Sequence, residues 1–99
     1  MAISIHIPIT RQSRPKLAAK ARLRADRRNG HMLLLSPERG LMLNDSAREA
    51  LALCTGAASV ETIIEQVCAR HPDGSADTIA RDVLALLSDL LSRGLVEVA

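Results

Sequence analysis

The hydrophobic and polar positions of the chain follow two periods, one close to two residues in the first third and one close to 3.6 residues afterwards. Between residues 17 and 28 small or apolar residues alternate with mostly basic ones, which predicts a half-buried strand from about Ala21 to Arg27. The positions on the apolar side are Leu17, Ala19, Ala21, Leu23 and Ala25.

Two turn signals continue this strand into an antiparallel meander. Asn29 and Gly30 predict a type I′ turn, which needs positive φ at both positions, with residues 31–35 as the returning strand. Pro37 suits a turn corner and Gly40 tolerates positive φ, so a second hairpin closes between them. Residues 40–43 are then the third strand.

Three amphipathic helices are predicted after the meander, followed by a short terminal strand over residues 95–98. The residues that mark the helix ends are, in chain order, Asn44 and Gly56, Ser59 and Pro72, and Ser75 or Asp77 and Gly94. The fold class is therefore α+β, with an N-terminal three-stranded antiparallel meander and a three-helix bundle, an order compatible with a winged-helix-like fold.

The third predicted helix carries more leucine than one core-facing stripe needs. Its first stripe is Ile79, Val83, Leu86, Leu87 and Leu90, and a second row is Ala80, Leu84, Leu87 and Leu91. Such a wide apolar face indicates either deep burial between two layers or a groove that a partner fills. The pattern leaves both alternatives open.

Length and composition indicate one small globular domain. The chain has 99 residues, 47% of them hydrophobic, and contains no Phe, Tyr or Trp. We interpret residues 1–16 as an extended basic arm and residues 17–99 as the single domain. No apolar run is long enough to span a membrane and the N-terminus lacks the features of a signal peptide, so we expect a cytoplasmic protein.

The net charge of +2 conceals an uneven distribution. Residues 1–28 hold eight basic residues and one acidic residue, whereas the rest holds five basic and ten acidic residues. A basic arm steers acidic partners or nucleic acid, or simply solvates the outer side of an edge strand. The alternating isoleucines of the arm also suggest strand exchange with a second copy, which predicts a homodimer as a further alternative.

A search for catalytic chemistry finds no candidate arrangement. The three histidines are far apart in sequence, and the spacing of Cys68 and His71 lacks two further metal ligands. We therefore expect that the protein is not an enzyme and that it binds no metal and no cofactor. A DNA-binding winged helix is the alternative function, although the predicted helices offer few basic side chains for a groove.

Several segments resemble one family in order and spacing. The segments are residues 14–18, 22–24, 33–44, 50–56, 60–64, 82–87 and 94–96, among which Leu33 to Asn44, with its Ser-Pro-Glu-Arg-Gly turn, is the most specific. Together they resemble the PqqD family of pyrroloquinoline quinone (PQQ) biosynthesis. The resemblance implies a peptide chaperone, or recognition element for a ribosomally made precursor, that binds the leader of the peptide PqqA and presents it to the radical-SAM enzyme PqqE.

The resemblance also implies where the leader binds. It adds as a strand beside the third strand of the meander and packs on the third helix, which is β-augmentation. The implied peptide-binding residues are Gly40, Leu41, Met42, Leu43, Ile79, Arg81, Val83, Leu84, Leu87 and Leu91. Of these, Arg81 is expected to meet an acidic leader residue.

Overall fold

The computed structural model of the chain describes residues 9–28, 30–35 and 40–98. Its elements are β1 (Pro15–Leu17), β2 (Arg22–Ala25), β3 (Met32–Leu35), β4 (Gly40–Leu43), α1 (Asp45–Ala52), α2 (Val60–Arg70), α3 (Ala76–Ser92) and β5 (Val96–Val98). The strands β2, β3 and β4 form an antiparallel sheet in that order. The predicted α+β class, with a three-stranded meander followed by three helices, is confirmed.

The first hairpin of the meander has a wider loop than the sequence predicts. The Asp26 N–H donates to the His31 carbonyl at 2.7 Å, and the Gly30 N–H donates to the Asp26 carbonyl at 2.9 Å. Asp26, and not Arg28, therefore pairs with His31, so the hairpin does not have the two-residue loop that a type I′ turn at Asn29 and Gly30 requires. The Asp26 carboxylate also accepts the Arg28 N–H at 2.9 Å, an Asx turn that stabilises the wider loop.

Both predicted turns include residues that lie outside the described part of the chain. Gly30 has φ +74°, as expected for the residue that closes this hairpin, while Asn29 lies outside the described residues. The second turn, predicted at Pro37, also lies outside them. The strands on either side of that turn pair as the meander requires, with Leu35 opposite Gly40.

The alternation predicted from Leu17 to Ala25 is interrupted. Ala18 and Ala21 are buried and Ala19 is exposed, because the Ala21 N–H donates to the Ala18 carbonyl in a turn that separates β1 from β2. Ala25 is exposed as well. The strand predicted from about Ala21 to Arg27 corresponds to β2, whereas Leu17 belongs to β1, which lies in a different sheet.

The helices begin at the predicted caps. The side chain of Asn44 accepts the Ala47 N–H at 2.8 Å, and Ser59 and Ser75 cap α2 and α3 in the same way. Gly56, predicted to end α1, lies beyond its C-cap Leu53. Its N–H donates to the Pro15 carbonyl at 2.9 Å, so this glycine, with φ +87°, brings the loop after α1 against β1.

The N-terminal segment packs on its own chain. Pro15–Leu17 pair with Val96–Val98 as a second, two-stranded antiparallel sheet. The N–H groups of Val60 and Glu61, which have no partner inside the first turn of α2, donate to the carbonyls of Ser13 and Arg11 at 2.8 and 2.9 Å. The division into an arm 1–16 and a domain 17–99 stays a prediction, and residues 1–8 lie outside the described part.

The core is aliphatic and lies between the meander and the helices. The largest side chains that are less than 2% exposed are Leu34, Leu51, Ile63, Leu87, Leu90, Val60, Val67, Val96 and Pro15. The predicted stripes of the three helices meet in this one cluster. Among the described residues, no helix is long and apolar enough to cross a membrane.

Candidate functional site

The strand β4 has one side without a partner strand among the described residues. Which of its peptide groups face that side follows from the hairpin, where Asp26 and His31 form a hydrogen-bonded pair. Such pairs alternate along an antiparallel ladder, so Leu33 and Leu35 direct their peptide groups toward β2. Met42 lies opposite Leu33 and Gly40 opposite Leu35.

The same alternation places the N–H and C=O groups of Gly40 and Met42 at the open edge. Leu41 and Leu43, opposite Leu34 and Met32, use theirs to bond to β3. The edge therefore offers two donors and two acceptors at the spacing of an added strand. This edge runs directly into Asn44 and the start of α1.

The side chains of β4 divide between the two faces of the sheet. Leu43 is buried and Leu41 is partly buried against the core, whereas Met42 is 60% exposed. Met42 therefore stands on the face that points away from the helices. An added strand would find apolar side chains on one face and the Met42 thioether on the other.

Two cavities lie where β4 passes into α1, and they share Asn44 and Ser46. The first, of about 150 Å³, is lined by Asn44, Ser46, Ala47, Asp82, Val83 and Leu86. The second, of about 360 Å³, is lined by Asn44, Asp45, Ser46, His71, Gly74 and Ile79. We call these two cavities and the open edge of β4 the groove.

The helix α3 supplies only part of the lining expected of it. Val83 is 2% exposed and lines the first cavity, whereas Leu87 is 0% exposed, lines neither cavity and belongs to the core. Ile79 lines the second cavity, Leu84 is half-buried against the core, and Leu91 is half-buried outside the core cluster. A role for each in binding stays a prediction.

The groove also contains residues that the sequence did not indicate. Arg81 is exposed and does not line either cavity, while its neighbour Asp82 lines the first. Leu86 belongs to the predicted stripe of α3, but the polar wall formed by Asn44 and Ser46 was not predicted. Asn44 is the N-cap of α1 and directly follows the last residue of the edge strand, so its role as a cap is the signal that the sequence shows.

The groove is acidic. Asp82 lines the first cavity and Asp45 the second, and neither has a hydrogen bond or ion pair to another described residue. The Asn44 carboxamide oxygen, by contrast, already accepts from the Ala47 N–H and the Ser46 hydroxyl. The unpaired carboxylates are therefore the polar groups that a ligand would meet.

A hydrogen bond between the side chains of His71 and Glu49 lies beside the second cavity. His71 Nε2 lies 2.5 Å from Glu49 Oε2, and the Glu49 side chain is only 9% exposed. Arg70 lies 4.0 Å from the other oxygen of the same carboxylate. This contact joins the middle of α1 to the end of α2 and so fixes His71 beside the second cavity.

The thiol of Cys54 belongs to the core and not to the groove. It is 4% exposed and donates to the Ala50 carbonyl, and burial raises the pKa of this thiol to about 12. Cysteine reacts as its thiolate, so we expect Cys54 to resist iodoacetamide at pH 8 in the folded protein and to react fully in guanidinium chloride. Peptide mass spectrometry measures the alkylated fraction of Cys54 in the folded and in the unfolded protein. Rapid alkylation of Cys54 in the folded protein would contradict its burial.

Comparison with known proteins agrees with this architecture. Residues 31–96 match the sequence family described as coenzyme PQQ synthesis protein D (PqqD). A PqqA binding protein of Rhodopseudomonas palustris (strain HaA2) is 42% identical over 91 residues, which cover 92% of this chain and 88% of that protein. A PqqA binding protein of Xanthomonas axonopodis pv. citri (strain 306) is 36% identical over 88 residues, 89% of this chain and 95% of that protein.

A solved structure shares the fold. The solution NMR structure of the PqqD truncation of Methylobacterium extorquens PqqCD superimposes with a TM-score of 0.74 at 29% identity, covering 90% of this chain and 94% of that one. That protein is described as a functional, stand-alone recognition element for ribosomally synthesized and post-translationally modified peptides. The fold is that of a peptide-recognition element of PQQ biosynthesis. The chain belongs to the PqqD family.

Proposed function

We propose that this protein binds the peptide PqqA through the groove and presents it to the radical-SAM enzyme PqqE, without catalysing a reaction itself. The curated relatives are named as PqqA binding proteins, and the similar solved structure is a recognition element. The observation that carries the proposal is the open edge of β4, where Gly40 and Met42 direct their peptide groups outward. A peptide in extended conformation satisfies those groups by adding a fourth strand.

The helix α3 supports the same mode of binding. A strand added at β4 places alternate side chains toward the helices, where Ile79 and Leu86 line the two cavities. Leu84 and Leu91, both half-buried, are the other apolar candidates on α3. Arg81 remains the candidate contact for an acidic peptide residue outside the cavities.

The proposal has three further parts. Presentation to PqqE follows from membership of the PqqD family. Work in the cytoplasm fits the free thiols Cys54 and Cys68. The third part is a homodimer formed by exchange of the N-terminal arm, residues 1–16, of which Arg11 and Ser13 here bond to α2 of the same chain.

Amide hydrogen exchange, read by NMR residue by residue, tests the strand addition. Without peptide, the amides of Gly40 and Met42 should exchange fast, while those of Leu41 and Leu43 should be protected by their bonds to β3. A saturating synthetic PqqA peptide should slow exchange at Gly40 and Met42 at least about tenfold, because each outward amide gains an acceptor.

Two controls make this result specific. Leu23 and Ala25 on β2 have outward amides at the opposite edge by the same register, so their exchange should not change. A double-stranded DNA of equal concentration should leave all four amides unaffected. Protection on β2 but not on β4 would move the site to the other edge, and no binding of PqqA would contradict the proposed function.

A further inference from the structure

We infer that the first cavity takes a basic side chain, lysine or arginine, of the bound peptide, with Asp82 as its partner. This inference rests on the proposed function and adds the chemical class of the residue recognised at one end of the groove. Three features of the cavity carry it: its place beside the open edge, its apolar floor and its unpaired carboxylate.

The position of the cavity makes it a site for a side chain and not for a whole ligand. Asn44 lines it and directly follows Leu43, the last residue of β4. A strand that pairs with Gly40 and Met42 and continues past Leu43 therefore reaches Asn44, a lining residue of the cavity. A volume of about 150 Å³ admits one side chain at that point.

The lining selects a long side chain that is apolar along its stem and charged at its tip. Ala47, Val83 and Leu86 form an apolar surface that the methylene groups of lysine or arginine can cover. Asp82 supplies a carboxylate with no ion pair or hydrogen bond to the other described residues. A purely apolar side chain would leave that carboxylate unpaired, and an acidic one would be repelled by it.

The charges around the cavity favour the same choice. Arg81 does not line it, and among the described residues His71 is the only lining residue of either cavity that can carry a positive charge. The lining of the second cavity adds Asp45, in the first turn of α1. A cation at this end of the groove therefore meets two carboxylates and no arginine or lysine.

Binding of PqqA peptides to paired protein variants tests the inference. The protein variants are Asp82→Asn and, as a matched control, Glu65→Gln, which removes one exposed carboxylate from α2 outside both cavities. The peptides are synthetic PqqA and a series in which each lysine or arginine is replaced by norleucine, which keeps the stem and removes the charge. Dissociation constants are measured by calorimetry at 50 mM salt, and melting temperatures verify that each variant is folded.

The expected result is a coupling between one peptide position and Asp82. Asp82→Asn should weaken PqqA binding about two- to fivefold, in line with an ion pair made by an exposed carboxylate, and Glu65→Gln should not. One norleucine peptide should bind the wild-type protein more weakly than PqqA does by the same factor. The same peptide should bind Asp82→Asn with the affinity that PqqA has for that variant. The loss should shrink at 500 mM salt.

Other outcomes overturn the inference without touching the proposed function. If the wild-type protein binds PqqA but Asp82→Asn binds it equally well, or more tightly, no cation occupies the cavity. The inference also fails if Asp82→Asn lowers the affinity for every peptide by the same factor. It fails as well if PqqA with all its basic residues replaced by norleucine binds the wild-type protein as tightly as unmodified PqqA. Failure of the wild-type protein to bind PqqA at all would instead contradict the proposed function.

Discussion

Replacing Leu87 with alanine is expected to lower the free energy of unfolding by about 2–5 kcal/mol. Leu87 is 0% exposed and lies in the centre of the cluster formed by the three helices and the meander. The substitution removes apolar atoms from that cluster and leaves a cavity that rigid neighbours fill only in part. A domain of this size has roughly 5–15 kcal/mol of stability in total, so the loss is large.

A matched variant one helical turn further on distinguishes core from groove. Leu91 lies on the same helix and is half-buried outside the core cluster, so Leu91→Ala should cost less than about 1 kcal/mol. Urea unfolding followed by circular dichroism at 222 nm measures both variants, with the slope m unchanged. The melting temperature of Leu87→Ala should fall by roughly 8 °C or more.

The comparison also decides how the second row of leucines on α3 is used. Equal losses of stability at Leu87 and Leu91 would mean that both rows are core and that α3 has no free apolar surface for a peptide. A small loss of stability at Leu91 combined with weaker PqqA binding would support its predicted place in the groove. Leu87→Ala, in contrast, should change binding only through the fraction of folded protein.

The helices could be predicted from the sequence because their signals are local. Asn44, Ser59 and Ser75 each accept a backbone N–H three residues ahead, and this capping geometry needs nothing beyond the neighbouring residues. The amphipathic stripes likewise identified the faces that meet in the core. Local chemistry and tertiary packing agree in this half of the chain.

Predictions that failed depend on contacts between distant segments. Gly56 has the residue type of a helix C-cap, yet its N–H bonds to the Pro15 carbonyl, a contact that joins segments far apart in sequence. The alternation from Leu17 to Ala25 is interrupted by a turn because β1 pairs with β5 at the end of the chain. No periodicity within residues 17–25 contains that information.

In the groove, too, the sequence predicted the local features and not those that depend on contacts between distant segments. The sequence identified residues 40–43 as the edge strand, but which amides face outward depends on the hairpin register, set by the pairing of Asp26 with His31. It also counted apolar residues on α3 without separating Leu87, which is buried in the core, from Leu86, which lines a cavity. Asp82 was not predicted as a binding residue because a single carboxylate on a helix has no pattern that marks it as one.

Replacing Met42 with proline is expected to weaken PqqA binding at least about tenfold while the fold survives. The Met42 N–H faces the open edge, so proline removes no bond from the ladder to β3, although it removes a donor from the edge. A lost backbone hydrogen bond costs about 1 kcal/mol, and the ring additionally hinders the close approach of a strand. Calorimetric titration with PqqA measures the loss.

Two further variants show whether the backbone or the side chain is responsible. Met42→Ala keeps the N–H and removes the exposed thioether, so it should bind PqqA within about threefold of the wild type. Ala25→Pro places the same ring on β2, where the N–H also faces away from β3, and should leave PqqA affinity unchanged. Melting temperatures of both proline variants should stay within a few degrees of the wild type.

The set of three variants makes the choice of edge decisive. Strand addition at β4 requires Met42→Pro to lose affinity and Ala25→Pro to keep it, because only one of the two open edges lies beside the groove. The reverse result would place the peptide on β2, among the exposed arginines of that strand. Equal, unchanged affinities would mean that PqqA binds through side chains alone, and the outward peptide groups of Gly40 and Met42 would then have no part in recognition.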